Sequence, residues 1–374
     1  MKIPFNASER STLGVEWELQ LVSRETRELV SAAGAVLDEL SPNAEHPKAK
    51  HELFESTIEV ITGICSTVAE AEADLARTIA ELKPLLDARG LGFMCSGTHP
   101  ITDWATQGIS PGDRYAKLME DMQQLARQLQ IFGVHVHVGV RSQDKAVPIV
   151  NALSAYIPHF LALTASSPFW IGDDTGLASC RSKVFENLPT AGLPYQLTDW
   201  GQFEDYMETL LRTGSIGSIK EVWWDIRPHP EFGTVELRIS DGLPTMYEVG
   251  MIAALSQCLV DTLDREIDKG YTLPTPKQWV VRENKWRAAR YGLDAHIIKD
   301  DESTTVPVRQ SLLELAHDLK ASAERLGCSE ELSRIEHIVS RGSSCHRQRE
   351  VAATDGLTGV VDSLLAEFEA GHPL

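Results

Sequence analysis

Four short stretches of the chain alternate apolar side chains with charged or polar ones. In residues 14–21, GVEWELQL, the apolar side chains share one parity, and Glu16 and Glu18 share the other. The same pattern recurs in FESTIEV at 54–60, VHVHV at 134–138 and TVELRI at 234–239. Successive side chains of a strand point to opposite faces of the sheet. Each stretch therefore predicts a strand with one face on a core and a charged face opposite.

The spacing of the apolar positions between these strands predicts helices. Residues 66–89 have helical periodicity, with Ser66 as the expected N-cap, and residues 111–130 are expected to form another helix. Residues 11–37 predict a strand, a turn and a return strand. Because the strands alternate instead of being continuously apolar, the pattern favours a largely antiparallel sheet, with helices over one face and an open pocket on the other. We predict an α+β fold in a single domain, residues 1–374, mostly helical from about residue 300.

The charged strand faces combine carboxylates, imidazoles and a guanidinium. They are contributed by Glu16, Glu18, Glu55, Glu59, His135, His137, Glu236 and Arg238, with Glu52 as an alternative to Glu55 or Glu59. Carboxylates with one or two imidazoles suit Mg²⁺ or Mn²⁺, whereas zinc hydrolases more often use several histidines or cysteines. Solvated strand faces are the alternative interpretation. This interpretation does not explain why four strands of one chain carry a charged face, because an ordinary sheet does not require it.

The net charge of −19, from 35 basic and 54 acidic residues among 374, argues against binding to nucleic acid or to an anionic membrane. The most apolar window, residues 149–171, contains Asn151 and His159 and is interpreted as a buried helix and the loop after it. Six scattered cysteines and the lack of an apolar leader predict reduced thiols in the cytoplasm. A homodimer is the default expectation for such an enzyme.

Several common nucleotide and hydrolase motifs are missing from the sequence. There is no GxxxxGK phosphate loop, no GxGxxG that opens a helix and no nucleophile-elbow pentapeptide. These absences argue against P-loop, Rossmann and Ser-His-Asp enzymes. Nucleotide phosphates, if bound, are expected to be held through metal ions and side chains.

Longer motifs carry a resemblance to a known family. They are LGVEWE at 13–18, SGTHP at 96–100, GVHVHVG at 133–139, ASSPFW at 165–170, RS at 181–182 with LPTAG at 188–192, WDIRP at 224–228, GTVELR at 233–238 and ENKWRA at 283–288. In these segments the chain resembles the carboxylate–amine ligase family, also called glutamate–cysteine ligase type 2. That family is a branch of the glutamine synthetase-like superfamily.

The resemblance implies a curved, largely antiparallel sheet that forms an open funnel with helices outside. It also implies ATP-dependent amide formation, in which a γ-carboxylate of glutamate is phosphorylated and cysteine or another amine then attacks the acyl phosphate. By analogy the metal ligands would be Glu16, Glu18, Glu55, Glu59, His137 and Glu236. Glu236 and Arg238 would be catalytic, with Arg238 at the phosphates, and Arg181, Arg227 and His99 would be candidates for substrate binding. His99 has the alternative of simply bracing its loop.

Two hypotheses from other classes stay open on the sequence. One is a metal-dependent hydrolase that uses His135 and His137 as an HxH pair and turns over without ATP. The other is a non-catalytic sensor that binds glutamate or a nucleotide on the same fold. The ligase is preferred, because it accounts for both the carboxylate-rich strand set and the motifs.

Overall fold

The computed structural model describes residues 2–42, 44–300 and 303–374. The strands are β1 (Leu13–Ser23), β2 (Ala49–His51), β3 (Thr57–Ile61), β4 (Leu91–Met94), β5 (Val134–Gly139), β6 (Phe169–Trp170), β7 (Asp173–Asp174), β8 (Ala191–Gly192), β9 (Trp223–Trp224), β10 (Ile226–His229), β11 (Thr234–Leu237), β12 (His296–Ile298) and β13 (Thr305–Pro307).

The helices that connect and cover these strands dominate the second half of the chain. They are α1 (Ala33–Leu40), α2 (Val68–Asp87), α3 (Asp113–Met122), α4 (Gln124–Arg127), α5 (Gln143–Leu153), α6 (Ile157–Thr164), α7 (Cys180–Phe185), α8 (Trp200–Arg212), α9 (Met246–Asp268), α10 (Gln278–Tyr291), α11 (Val308–Asp318), α12 (Lys320–Leu326), α13 (Ser329–Arg341) and α14 (Ser344–Ala370). Four 3₁₀ turns lie between them, at Trp104–Thr106, Ser154–Tyr156, Ile219–Glu221 and Gly292–Asp294.

A seven-stranded antiparallel sheet organises the fold. Its order is β2, β3, β1, β5, β11, β10, and β4 also pairs with the end of β1. Trp17 and its neighbours Val15 and Leu19 are buried on one face of β1, where α9 and α2 pack against the sheet. The indole Nε1 of Trp17 donates a hydrogen bond of 3.1 Å to the carbonyl of Leu243. The predicted α+β class and the largely antiparallel sheet are confirmed.

The return strand predicted within residues 11–37 is wrong beyond a single bridge between Val22 and Leu29. The backbone N–H groups of Ala32 and Ala33 both donate to the carbonyl of Glu55. This segment therefore leaves the sheet instead of continuing as a strand. The alanine-rich segment then starts α1, as expected from the high helix propensity of alanine.

The helix expected at 111–130 is interrupted. Gln123 has φ of 48°, outside the range of a right-handed helix, and separates α3 from α4. The apolar segment Gln143–Thr164 is long and apolar enough to cross a membrane, but 83% of its most apolar window is buried inside the fold. It forms α5 and α6 of the core, as predicted for a buried helix.

Candidate active site

The register of the sheet brings the charged strand faces together. Glu16 of β1 lies opposite His135 of β5, and Glu18 lies opposite Glu59 of β3. Glu236 of β11 has His137 on one side. On its other side is Arg227 of β10. Because directly opposed residues of neighbouring strands share a face, parity within each strand and register between strands produce one polar surface.

This polar surface is the floor of a cavity of about 530 Å³. The ionisable floor residues come from the strands, the loops next to them and α7: Glu16, Glu18, Glu52, Glu59, His135, His137, Arg181, Arg227, His229, Glu236 and Arg238. The opposite wall carries Arg114, Tyr115, Lys117, Leu118, Asp121 and Met122 from α3, together with Phe185, Leu188 and Trp223. The helices α2 and α9 pack against the sheet on the side of its apolar face, whereas α3 and α7 contribute to the cavity.

Three groups of side chains on the floor offer ligand atoms that lie within 4.8 Å of one another. They are Glu16 with His137 and Glu236, Glu16 with Glu59 and His135, and Glu18 with Glu52 and Glu59. Glu16 and Glu59 are each shared by two groups, so the groups form one continuous array. Carboxylate oxygens dominate it, which fits a hard divalent cation such as Mg²⁺ or Mn²⁺.

At one end of the array, burial and the neighbouring carboxylates outweigh the charges of the nearby arginines. Burial, together with the neighbouring Glu52, raises the pKa of Glu18 to about 8. Burial and the charges of Glu16 and Glu52 raise the pKa of Glu59 well above its ordinary value. Clustered, buried carboxylates of this kind are unfavourable unless a cation joins them. This observation shows that the residues fit a divalent metal ion.

The other end of the array is already ion-paired. Burial opposes the ionisation of Glu16, but the charge of His137 and a hydrogen bond with His135 (3.0 Å) hold the pKa of Glu16 below its ordinary value. Burial also opposes the ionisation of Glu236, and the guanidinium groups of Arg227 and Arg238 outweigh it and keep its pKa well below the usual range. Both carboxylates are therefore ionised at neutral pH.

The two histidines of β5 are buried and differ in their partners. His135 Nδ1 lies 3.0 Å from Glu16, and burial followed by the charge of Arg238 lowers the pKa of His135 to about 4. His137 Nδ1 lies 2.9 Å from the Thr234 hydroxyl, which leaves Nε2 directed towards Glu16 at 3.3 Å. A partner on one ring nitrogen orients the other nitrogen, as in metal-binding histidines.

Three arginines of the site have different surroundings. Arg227 forms a fork with Glu236 (2.7 and 3.3 Å) and donates to the carbonyls of Lys220 and Val222. Arg238 pairs with Glu236, and Arg181 donates to the carbonyls of Arg238 and Ile239 at 3.3 Å each. In the described part of the chain, the buried Nε atoms of Arg181 and Arg238 have no hydrogen-bond partner. Both arginines are among the residues that line the cavity.

Two residues predicted for the site lie outside it. Glu55 sits in the turn before β3, with its carboxylate beside Gly108 and Ser31 and not in the cavity, and Glu52 takes the place expected for it. His99 is buried below its loop, where its Nδ1 accepts hydrogen bonds from the backbone of Ile101 and Thr102. Burial lowers the pKa of His99 to about 3, so its ring is neutral where it accepts these hydrogen bonds. Neither Glu55 nor His99 is among the residues that line the cavity.

Some residues of the cavity were missed by the sequence analysis. Arg114 and Tyr115 of α3 line the wall, and His229 at the end of β10 stacks on Phe232 with ring centroids 4.3 Å apart. His229 shares the parity of Arg227, so an alternation argument extended to β10 would have found it. The helix itself was predicted, but its place in the cavity wall was not, because helical periodicity does not show what a partly exposed face contacts.

Comparison with solved structures defines the class of fold. Glutamate–cysteine ligase from Francisella tularensis, solved in complex with AMP, has a TM-score of 0.68 at 15% identity and is matched over 98% of this chain and 90% of that one. A bifunctional glutathione synthetase from Pasteurella multocida has a TM-score of 0.63 at 16% identity, over 96% of this chain and 52% of that one. At these identities the similarity shows the fold alone, which this chain shares with both of these proteins.

Sequence comparison then identifies the family. The family model of glutamate–cysteine ligase family 2 matches residues 12–363. A Frankia alni protein provisionally named glutamate–cysteine ligase 2-1 is 60% identical over 100% of this chain and 99% of its own length. A Thermobifida fusca protein provisionally named glutamate–cysteine ligase 2 is 59% identical over 100% of this chain and 94% of its own. The chain belongs to glutamate–cysteine ligase family 2, and the resemblance seen in the motifs is confirmed.

Proposed function

We propose that the protein is an ATP-dependent ligase that joins the γ-carboxylate of glutamate to an amine, with cysteine as the first acceptor to test. One observation carries the proposal. Partly buried carboxylates, together with the buried His135, His137 and Glu236, form a continuous ligand array on the floor of a cavity of about 530 Å³, which Arg181 and Arg238 also line. Family membership and the names of the relatives support the same reaction.

The residues proposed to hold Mg²⁺ or Mn²⁺ are those of the array: Glu16, Glu18, Glu52, Glu59, His135, His137 and Glu236. A divalent cation at these ligands supplies neutralising charge to the triphosphate oxygens. Glu55 is not included, because its carboxylate lies outside the cavity.

The arginines are proposed to bind the anionic parts of the substrates. Arg238 lines the cavity and pairs with Glu236, and its guanidinium would donate to a phosphate oxygen as negative charge develops. Arg181 also lines the cavity, and its guanidinium would donate to a substrate carboxylate. Arg227 uses four of its five N–H groups on Glu236 and two carbonyls, so we assign it to orienting Glu236 and Arg238.

The proposed reaction has two transfers. A γ-carboxylate oxygen of glutamate bonds to the γ-phosphorus of ATP as the bond to ADP breaks, which gives an acyl phosphate and ADP. The amine nitrogen then bonds to the acyl carbon, phosphate leaves, and the nitrogen loses one proton. Positioning and charge stabilisation account for most of the catalysis in such transfers. A covalent intermediate on the protein is not required.

The direct test measures ADP release by the purified protein with ATP, Mg²⁺ and glutamate against a panel of amino acids and amines, with product masses recorded. We expect ADP release that depends on glutamate and a product with the mass of a γ-glutamyl amide. The variant Arg238→Met serves as the inactive control. ATP binding without turnover would indicate the sensor, and metal-dependent turnover without ATP would indicate the hydrolase. Either result would overturn the ligase.

We also propose a cytoplasmic location. All six cysteines are buried and free. Cys258 and Cys328 have Sγ atoms 3.6 Å apart without a bond between them. Free thiols in such proximity are typical of a reducing compartment.

A further inference from the structure

A buried lysine lies behind the cavity floor. Lys285 of α10 is 2% exposed, and it is the single buried lysine among residues 2–42, 44–300 and 303–374. Its Nζ lies 2.6 Å from the carboxylate of Asp225 and 2.5 Å from that of Glu186. None of these three residues lines the cavity. Lys285 therefore has no direct access to a substrate.

The position of Lys285 is favourable only because of its two partners. Burial disfavours the charged ammonium, but the charges of Asp225 and Glu186 raise the pKa of Lys285 above its ordinary value. Burial raises the pKa of Asp225, and Lys285 counteracts it. Glu186 has a second cation, Lys183. Loss of the Lys285 charge thus leaves Asp225 as an unpaired buried carboxylate, which is a costly arrangement.

The two carboxylate partners belong to the segments that place the cavity arginines. The carbonyl of Asp225 accepts a 2.8 Å hydrogen bond from the backbone N–H of Arg238. Glu186 follows directly on α7, which carries Arg181. Arg181 in turn donates to the carbonyl of Arg238 at 3.3 Å. One ammonium therefore joins the two segments that carry Arg181 and contact Arg238, and both arginines line the cavity.

We propose that Lys285 is a positioning residue for the ligase reaction, because it fixes Arg181 and Arg238 relative to each other and to the carboxylate array. The proposal rests on the function proposed above. A displacement of about 1 Å in catalytic groups can cost on the order of 100-fold in rate. The metal ligands lie on β1, β3, β5 and β11 and in the segment of Glu52, so they do not depend directly on this contact.

The test compares Lys285→Met and Lys285→Arg with the wild-type chain. We expect Lys285→Met to lower kcat for glutamate-dependent ADP release about 30-fold and to weaken calorimetric binding of ATP with Mn²⁺ about 10-fold. Binding of Mn²⁺ alone should stay within about 3-fold. Lys285→Arg keeps the charge and should recover most of both losses.

Lys145→Met is the matched control, because Lys145 also pairs with two carboxylates, but these are Asp264 and Asp268 of α9, which carries neither Arg181 nor Arg238. This variant should lose stability and keep the wild-type kcat and ATP affinity per folded molecule. If Lys285→Met does not fold, the double variant Lys285→Met/Asp225→Asn removes the unpaired carboxylate and takes its place. We expect the double variant to show the same losses of kcat and ATP affinity as Lys285→Met.

Two outcomes would overturn the inference. One is a folded Lys285→Met variant with wild-type kcat and ATP affinity. The other is a loss of ATP affinity matched by an equal loss of Mn²⁺ affinity, which would indicate general damage. A wild-type chain without glutamate-dependent ADP release would instead refute the ligase, and the comparison of ATP and Mn²⁺ binding would still decide the role of Lys285.

Discussion

Glu52 and Glu55 are three residues apart, and only Glu52 reaches the cavity. The strand β3 begins at Thr57, so Glu55 lies in the preceding turn, where its backbone N–H donates to the carbonyl of Gly108. The alternation rule applies within a strand and fails across a turn. Parity located Glu16, Glu18, Glu59, His137 and Glu236, all of which line the cavity, and it misplaced Glu55 for this reason.

At the scale of single residues, the variants Glu52→Gln and Glu55→Gln form a matched pair that tests the placement of the metal ligands. Glu52→Gln removes a charge from the group with Glu18 and Glu59, so we expect Mn²⁺ affinity to fall at least about 10-fold. Glu55→Gln should change it less than about 2-fold. Calorimetric titration with Mn²⁺ measures both. Equal effects of the two substitutions would contradict the placement of the metal ligands.

Gly233 of the turn between β10 and β11 is required by the backbone. It has φ of 64°, and an added Cβ would overlap the carbonyl of Asn6. We expect Gly233→Ala to lower the free energy of unfolding by about 3 kcal/mol. In Gly270→Ala, where φ is 88° and no atom lies within 4 Å of the added Cβ, about 1 kcal/mol is expected. Urea denaturation compares the two, and equal losses would exclude a steric role for Asn6.

At the scale of elements, α2 shows how closely a boundary follows from sequence. The N-cap is Thr67 and not Ser66: the Thr67 hydroxyl accepts from the N–H of Glu70 (3.2 Å), and the Glu70 carboxylate accepts from the N–H of Thr67 (3.4 Å). Both serine and threonine suit an N-cap, so residue type alone did not distinguish them. The reciprocal capping box needs a glutamate or glutamine three residues after the N-cap, and Glu70 meets this condition for Thr67.

This boundary predicts different effects for two neighbouring substitutions. Thr67→Ala should lower stability by about 1 kcal/mol, because the N–H of Glu70 loses its side-chain acceptor. Ser66→Ala should have almost no effect, since Ser66 contributes its backbone N–H, which the substitution retains. Thermal unfolding of both variants provides the measurement. A larger loss for Ser66→Ala would mean that the helix begins one residue earlier.

At the scale of the whole molecule, one hydrophobic core connects the sheet to the C-terminal helices. The same cluster of buried residues includes Trp17 of β1, Leu255 of α9 and Ile335 of α13. We propose that residues 1–374 unfold as a single unit. Fluorescence and circular dichroism should then report coincident transitions in urea. Two separated transitions would indicate that the C-terminal helices form an independent domain.

Buried histidines outside the metal array predict loss of stability in acid. Burial lowers the pKa of His159 from 6.5 to about 4, and its Nε2 lies 2.8 Å from the hydroxyl of Ser311. Between these values the unfolded chain binds a proton that the folded chain excludes. The contribution of the neutral His159 side chain to the free energy of unfolding is therefore complete above pH 6.5 and is lost as the pH falls towards 4. Between pH 6.5 and 4, the free energy of unfolding of His159→Gln should fall less steeply with pH than that of the wild-type chain. The two slopes should differ by up to about 1.4 kcal/mol per pH unit.

The exposed His317 provides the control for this experiment. His317→Gln removes an imidazole from an exposed position on α11, so it controls for the loss of a histidine without the loss of a buried one. Urea titrations at several pH values between 4 and 7 give the slopes. An unchanged slope in His159→Gln would show that His159 is protonated in the folded protein.

The sequence by itself determined the strand faces, the antiparallel α+β class and the family, because alternation and motifs are local properties of a chain. It could not decide which of Glu52 and Glu55 faces the cavity, or that α3 forms the cavity wall. It also gave no sign of Lys285 behind Arg181 and Arg238, since the three residues are far apart in the sequence. Turns, register and long-range ion pairs decide these points, and they depend on contacts that form only when the whole chain has folded.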